Sequence, residues 1–124
     1  MKFLVSMFCL AVIFGSVVYA EQREHVRGIN LHQFYRQINA ESFNGQLPDA
    51  ELEWSDLTEQ KGLTHWMDDG SFTVEVDRGT NPSESELRDT VQHEACHVAT
   101  LPDIDKGDPH GAAFQECMTR FVSQ

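Results

Sequence analysis

The chain has 124 residues, enough for one domain and too few for two. Nine Lys and Arg stand against twenty Asp and Glu, and the formal net charge of −11 gives a surface that repels nucleic-acid phosphates and anionic lipid. Hydrophobic residues make up 40% of the chain, which allows one modest core.

The first twenty residues differ from the rest. Met1-Lys2 is a short positive start, Phe3 to Phe14 is apolar apart from Ser6, and Val18-Tyr19-Ala20 supplies small residues at the spacing of a cleavage site. Residues 1–20 are therefore expected to be a secretory signal cut after Ala20, leaving a domain over 21–124 that is secreted or periplasmic and free of the membrane. The rival reading is an uncleaved anchor, because Phe3 to Ala20 carries no charge and approaches spanning length. Cys9 leaves with the signal. Cys96 and Cys117 remain, a candidate disulfide in an exported chain or else two buried thiols.

Glu21 to Gly28 is polar and is read as loose. Leu31, Phe34, Tyr35 and Ile38 then recur at helical spacing, which predicts a helix from about Asn30 to Phe43 with Asn30 as its N-cap. Asn44-Gly45 ends it and Pro48 keeps it from resuming. Ala50, Leu52 and Trp54 alternate with Glu51, Glu53 and Ser55, the pattern of a half-buried strand. Two more strands are expected over about 62–67 and 71–77, joined by the turn Asp68-Asp69-Gly70. Together they predict a small antiparallel sheet of about three strands. Ser83-Glu84-Ser85-Glu86 is a capping box, and Leu87, Val91, Ala95, Val98 and Leu101 keep one face of the helix that follows. Pro102 marks its end, and Gly111 to Phe121 reads as a last helix with Phe114, Cys117, Met118 and Phe121 inward.

Inside the long helix lies His93-Glu94-Ala95-Cys96-His97, an H-E-x-x-H pattern. Two histidines one turn apart face the same way and can bind one metal ion, and the glutamate between them can reach a water on that metal. A catalytic zinc site usually has three protein ligands, so a third is needed. His110 opens the last helix and can be folded back onto the pair. Asp103 stands six residues after His97, the spacing used by metzincin and snapalysin-like peptidases. Those enzymes turn sharply at a glycine where this chain has Thr100, whose Cβ makes the turn costly, so His110 is preferred.

These residues resemble the SprT-like (Spartan-type) zinc metallopeptidase family. The likeness rests on F-N-G-Q-L-P at 43–48, the tryptophan-ended strand over 51–55, Gly62 opening the next strand, H-E-A-C-H at 93–97 and H-G-A-A-F at 110–114. It implies an α+β, zincin-like fold of N-terminal helix, small sheet, metal helix and returning helix. It implies His93, His97 and His110 as Zn2+ ligands, Glu94 as catalytic residue, and hydrolysis of protein or peptide substrates by a zinc-activated water with Glu94 as general base. Some relatives act on proteins attached to DNA through added zinc-ribbon or DNA-binding regions. With no CxxC pair and no basic patch, nucleic acid is not an expected partner here. The alternatives are a zinc-stabilised binding module without turnover and the snapalysin-like site using Asp103.

No second oxyanion donor stands out. His65 and Tyr35 are candidates, though a polar strand residue and a core aromatic are the better readings of each. Asp103, Asp105 and Asp108 read as loop solvation, or as a partner that fixes the tautomer of a ligand histidine.

Overall fold

The computed structural model describes residues 16–104 and 107–122. Most of the expected export signal, together with Cys9 and Asp105, lies outside them. The expected cleavage point after Ala20 falls within a helix, α1, over residues 16–27. Glu21 to Arg27 is thus ordered rather than loose. Its Glu, Gln and Arg residues are good helix formers, and a single apolar side chain, Val26, docks into the core at 2% exposure. One inward residue gives too little periodicity to reveal a helix by pattern.

Helix α2 (Leu31–Phe43) starts where Asn30 Oδ1 accepts the Gln33 amide at 3.1 Å and ends at Asn44 in the left-handed region. The F-N-G-Q-L-P stretch is its exit. Gly45 has φ +70°, which suits a residue without Cβ. The Asn39 side chain holds the turn from both sides, donating to the Leu47 carbonyl at 3.1 Å and accepting from the Leu47 amide at 3.0 Å. The Tyr35 hydroxyl donates to the Pro48 carbonyl at 2.7 Å, so Tyr35 is a core aromatic that anchors this turn and not an oxyanion donor.

The three strands β1 (Ala50–Ser55), β2 (Gly62–Trp66) and β3 (Phe72–Asp77) form one sheet in the order β1-β3-β2. The β2–β3 hairpin is antiparallel, as expected, with Thr64 opposite Val74. The β1–β3 pairing is parallel, with Leu52 opposite Val74, so the sheet is mixed and not wholly antiparallel. The hairpin inserts its second strand beside β1, which leaves β2 at the edge. The rest of the expected layout, an α+β arrangement of helix, small sheet, metal helix and returning helix, is present.

The register places Ala50, Leu52, Trp54, Phe72, Val74 and Val76 on one face of the sheet, against which α2 and α3 (Glu84–Thr100) pack. The opposite face carries Glu51, Glu53, Glu75 and His65. The core joins Phe34, Tyr35 and Ile38 of α2, Val74 and Val76 of β3, and Leu87, Val91, Ala95 and Val98 of α3. Burying such side chains contributes about 1.5–3 kcal/mol each.

A buried polar network then fixes α3 relative to β2. Asn81 donates from Nδ2 to the Lys61 and Asp77 carbonyls at 3.0 and 2.8 Å, and Thr90 of α3 donates to Asn81 Oδ1 at 2.5 Å. The Asp77 carboxylate accepts from the Leu57 and Thr80 amides and the Thr80 hydroxyl, and these hydrogen bonds hold its pKa below the usual carboxylate range against the opposing effect of burial. Helix α3 is capped as expected, with Ser83 Oγ accepting the Glu86 amide at 3.2 Å. It runs on through Thr100, whose hydroxyl donates to the Cys96 carbonyl at 2.8 Å, into a 3-10 turn at Leu101–Asp103. Helix α4 (Ala112–Val122) returns against α3, and the Cys96–Cys117 disulfide joins the two.

Candidate metal centre

Helix α3 puts His93 and His97 on one face, and the turn Asp108 to Gly111 brings His110 over them at the entry to α4. The Nε2 atom of His110 lies 3.1 Å from Nε2 of His97 and 3.4 Å from Nε2 of His93. One ligating nitrogen from each of the three rings falls within 4.8 Å of the others. Three nitrogens about 2.0–2.1 Å from a tetrahedral ion stand about 3.3–3.4 Å apart, so the observed spacing fits one small cation shared by all three. Each neutral imidazole carries only one N–H. With that proton on Nδ1, all three Nε2 atoms would offer a lone pair to one shared cation.

Phe114 is the floor of the site. Its ring stacks on His97 at 4.5 Å between centroids and meets His93 and His110 edge-on at 4.8 and 5.0 Å. That contact with all three imidazoles accounts for the phenylalanine in H-G-A-A-F. The disulfide lies beside the ligands, because Cys96 directly precedes His97 and Cys117 follows Phe114 by three residues. It ties the helix bearing two ligands to the helix that follows the third.

The electrostatics favour the neutral, metal-binding forms of His93 and His97. Burial pushes the His97 pKa down from 6.5 to about 4, helped by the charges of His93 and His110. Burial followed by the charge of His110 also lowers His93. His97 Nδ1 is buried with no hydrogen-bond partner among the described residues. Asp108 does not orient a ligand ring directly. Its carboxylate accepts the His110 backbone amide at 2.9 Å and lies 4.0 Å from His110 Nδ1, beyond hydrogen-bond reach.

Glu94, one residue further round the helix from His93, reaches towards β2 and is 4% exposed. Its Oε2 accepts from the Thr64 hydroxyl at 2.6 Å. Burial raises its pKa from 4.5 to about 7, partly opposed by that hydrogen bond. Gly62 stands against it. A Cβ built at Gly62 would lie 2.9 Å from Glu94 Cγ and Oε1 and from Thr90 Cγ2, so the missing side chain is the space the carboxylate occupies. His93, Glu94, His97 and His110 line one cleft of about 720 Å3 with Gly62, Thr64, Leu101, Pro109 and Met118.

The other sequence candidates lie elsewhere. Asp103 lines a different hollow with Phe43 and Arg120 and is outside the histidine group, because the chain passes from Thr100 into the 3-10 turn at Leu101–Asp103. His65 is on the outer face of β2, bonded to Glu75 at 2.7 Å, and is not in the cleft. Thr64 was not among the sequence candidates. A signal for it exists: positions 62 and 64 face the core, yet they are Gly and Thr while Leu63 faces out. Such an inverted strand pattern marks a place where the core must accommodate a polar group.

No curated protein matches the chain at a significant level. The sequence profile of the SprT-like family matches residues 31–124, which span α2 to the C-terminus and include every residue of the histidine site, and the chain belongs to that family.

Proposed function

We propose that the protein is a zinc-dependent metalloendopeptidase, exported from the cytoplasm, that hydrolyses peptide bonds in protein substrates. The observation that carries this reading is the meeting of three histidine Nε2 atoms beside a buried, cleft-lining carboxylate with a pKa near 7. Three histidines, with no fourth His, Cys, Asp or Glu grouped with them among the described residues, suit a catalytic zinc, whereas a structural site normally closes with a fourth protein ligand. When bound, zinc supplies a Lewis acid and lowers the pKa of a water towards about 7.

The chain's own residues do the rest. His93, His97 and His110 would hold the ion, with Phe114 packed against all three rings. Glu94, whose pKa burial raises to about 7, can accept a proton from water at one oxygen and return it to the leaving amine. Leu101, Pro109 and Met118 add apolar surface to the lining of the cleft. Export is supported by the apolar start of the chain and by the disulfide, which persists in oxidising compartments.

The test compares metal content and cleavage of an unfolded protein by wild type, His110→Ala and Asp103→Ala. Wild type should carry one zinc and lose cleavage on chelation. His110→Ala should lose most of the metal, and Asp103→Ala should match wild type. Full metal in His110→Ala with loss in Asp103→Ala would transfer the site to the snapalysin-like arrangement. A zinc-loaded wild type that cleaves nothing would leave a metal-stabilised binding module.

A further inference from the structure

We propose that Thr64 is a positioning residue for the Glu94 carboxylate, fixing which of its oxygens is free for proton transfer. The inference rests on the peptidase reading but is carried by separate observations. A glutamate has three rotatable side-chain bonds and two equivalent oxygens, so a buried one that must meet a single water needs external restraint. The restraint here comes from β2. Thr64 Oγ1 donates to Glu94 Oε2 at 2.6 Å, which uses the hydroxyl's only proton; its 3.4 Å approach to the Glu94 carbonyl is the weaker contact. Gly62, two residues earlier on the same face, leaves room for Cγ and Oε1 and for nothing larger than hydrogen. One oxygen is held by a donor while the other lies in a slot of fixed width.

The position of Thr64 is itself fixed. It lies opposite Val74 in the antiparallel ladder, and the Asn81 and Thr90 bonds hold the start of β2 to α3. Its branched Cβ restricts rotation of the hydroxyl. Both contacts of the Thr64 hydroxyl go to Glu94, so the role assigned to it runs through that residue.

The test uses Thr64→Val, which keeps the shape and removes the donor, and Thr64→Ser, which keeps the donor and loses a methyl. Both should retain full zinc. Thr64→Val should lower kcat by about 10–100-fold with little change in KM, and Thr64→Ser should recover to within a few-fold of wild type. A second measurement is independent of turnover. In metal-free protein, Thr64→Val should lower the urea midpoint in the wild-type background and leave it unchanged when Glu94 is already Ala. Equal kcat for Thr64→Val and wild type, or a Thr64→Ser variant as poor as Thr64→Val, overturns the proposal while the peptidase reading stands. Additive midpoint shifts overturn it whatever the activity. A zinc-loaded wild type without cleavage sinks the peptidase reading, and the catalytic role of Thr64 falls with it.

Discussion

Breaking the Cys96–Cys117 disulfide tests whether α4 and its histidine are held to α3 by covalent restraint as well as by packing. The bridged residues are 21 apart in sequence, and His97 and His110 both lie inside the loop they close. A cross-link of that span removes unfolded-chain entropy corresponding to about 3 kcal/mol. In a domain of this size each kcal/mol shifts the melting temperature by about 4–8 °C, so reduction should lower Tm by roughly 12–24 °C. The assay is thermal unfolding of metal-free protein followed by circular dichroism, with and without a phosphine reductant, with alkylation confirming that Cys96 and Cys117 are free. Zinc should then return part of the lost stability, because it links His97 to His110 in the folded state only. A shift below about 3 °C with both thiols alkylated would show that packing of Phe114 and its neighbours holds α4 and that the bridge adds little.

Other perturbations give equally definite outcomes. Gly62→Ala must displace Glu94 or Thr90, and it should fold, keep zinc and lose about 10–100-fold in kcat/KM; wild-type activity would contradict the close approach at that site. Val26→Ala should cost about 1–3 kcal/mol in urea unfolding, and no cost would mean that α1 is not part of the core. The pH dependence of the metal-free protein has two opposing parts. His97 has its pKa lowered from 6.5 to about 4, so its contribution to stability is full above 6.5 and is lost as pH falls towards 4. Glu94 has its pKa raised from 4.5 to about 7, so its contribution is full below 4.5 and is lost as pH rises through 7. The two oppose between about 4.5 and 6.5. Glu94→Gln should therefore expose a fall in stability on acidification that wild type largely hides, and identical pH profiles for the two would count against it.

Much of the site was legible because its chemistry is local. The H-E-x-x-H spacing, the Asn30 and Ser83 caps and the Asp69-Gly70 turn each depend on residues within a turn or two of one another. His110 was readable from ligand chemistry and the family resemblance, although it joins the pair across the loop after α3. The parallel β1–β3 pairing was not readable. Alternation shows which face a residue takes, while strand order is decided by how the hairpin docks on the helices. Helix α1 was missed because Val26 is the one apolar side chain among its described residues that is buried in the core. The disulfide stayed open at sequence level because spacing does not fix the distance between two Cβ atoms. Thr64 was missed because a threonine in a strand is ordinary until its neighbour across the core is a buried glutamate.

The most direct measurement is zinc content and cleavage of an unfolded protein on the same preparations of wild type and Glu94→Gln. Glu94 is not a metal ligand in this geometry, so the variant should keep one zinc per chain while its cleavage falls by at least about 100-fold. Equal cleavage by the two would contradict a peptidase mechanism that uses Glu94 as its base.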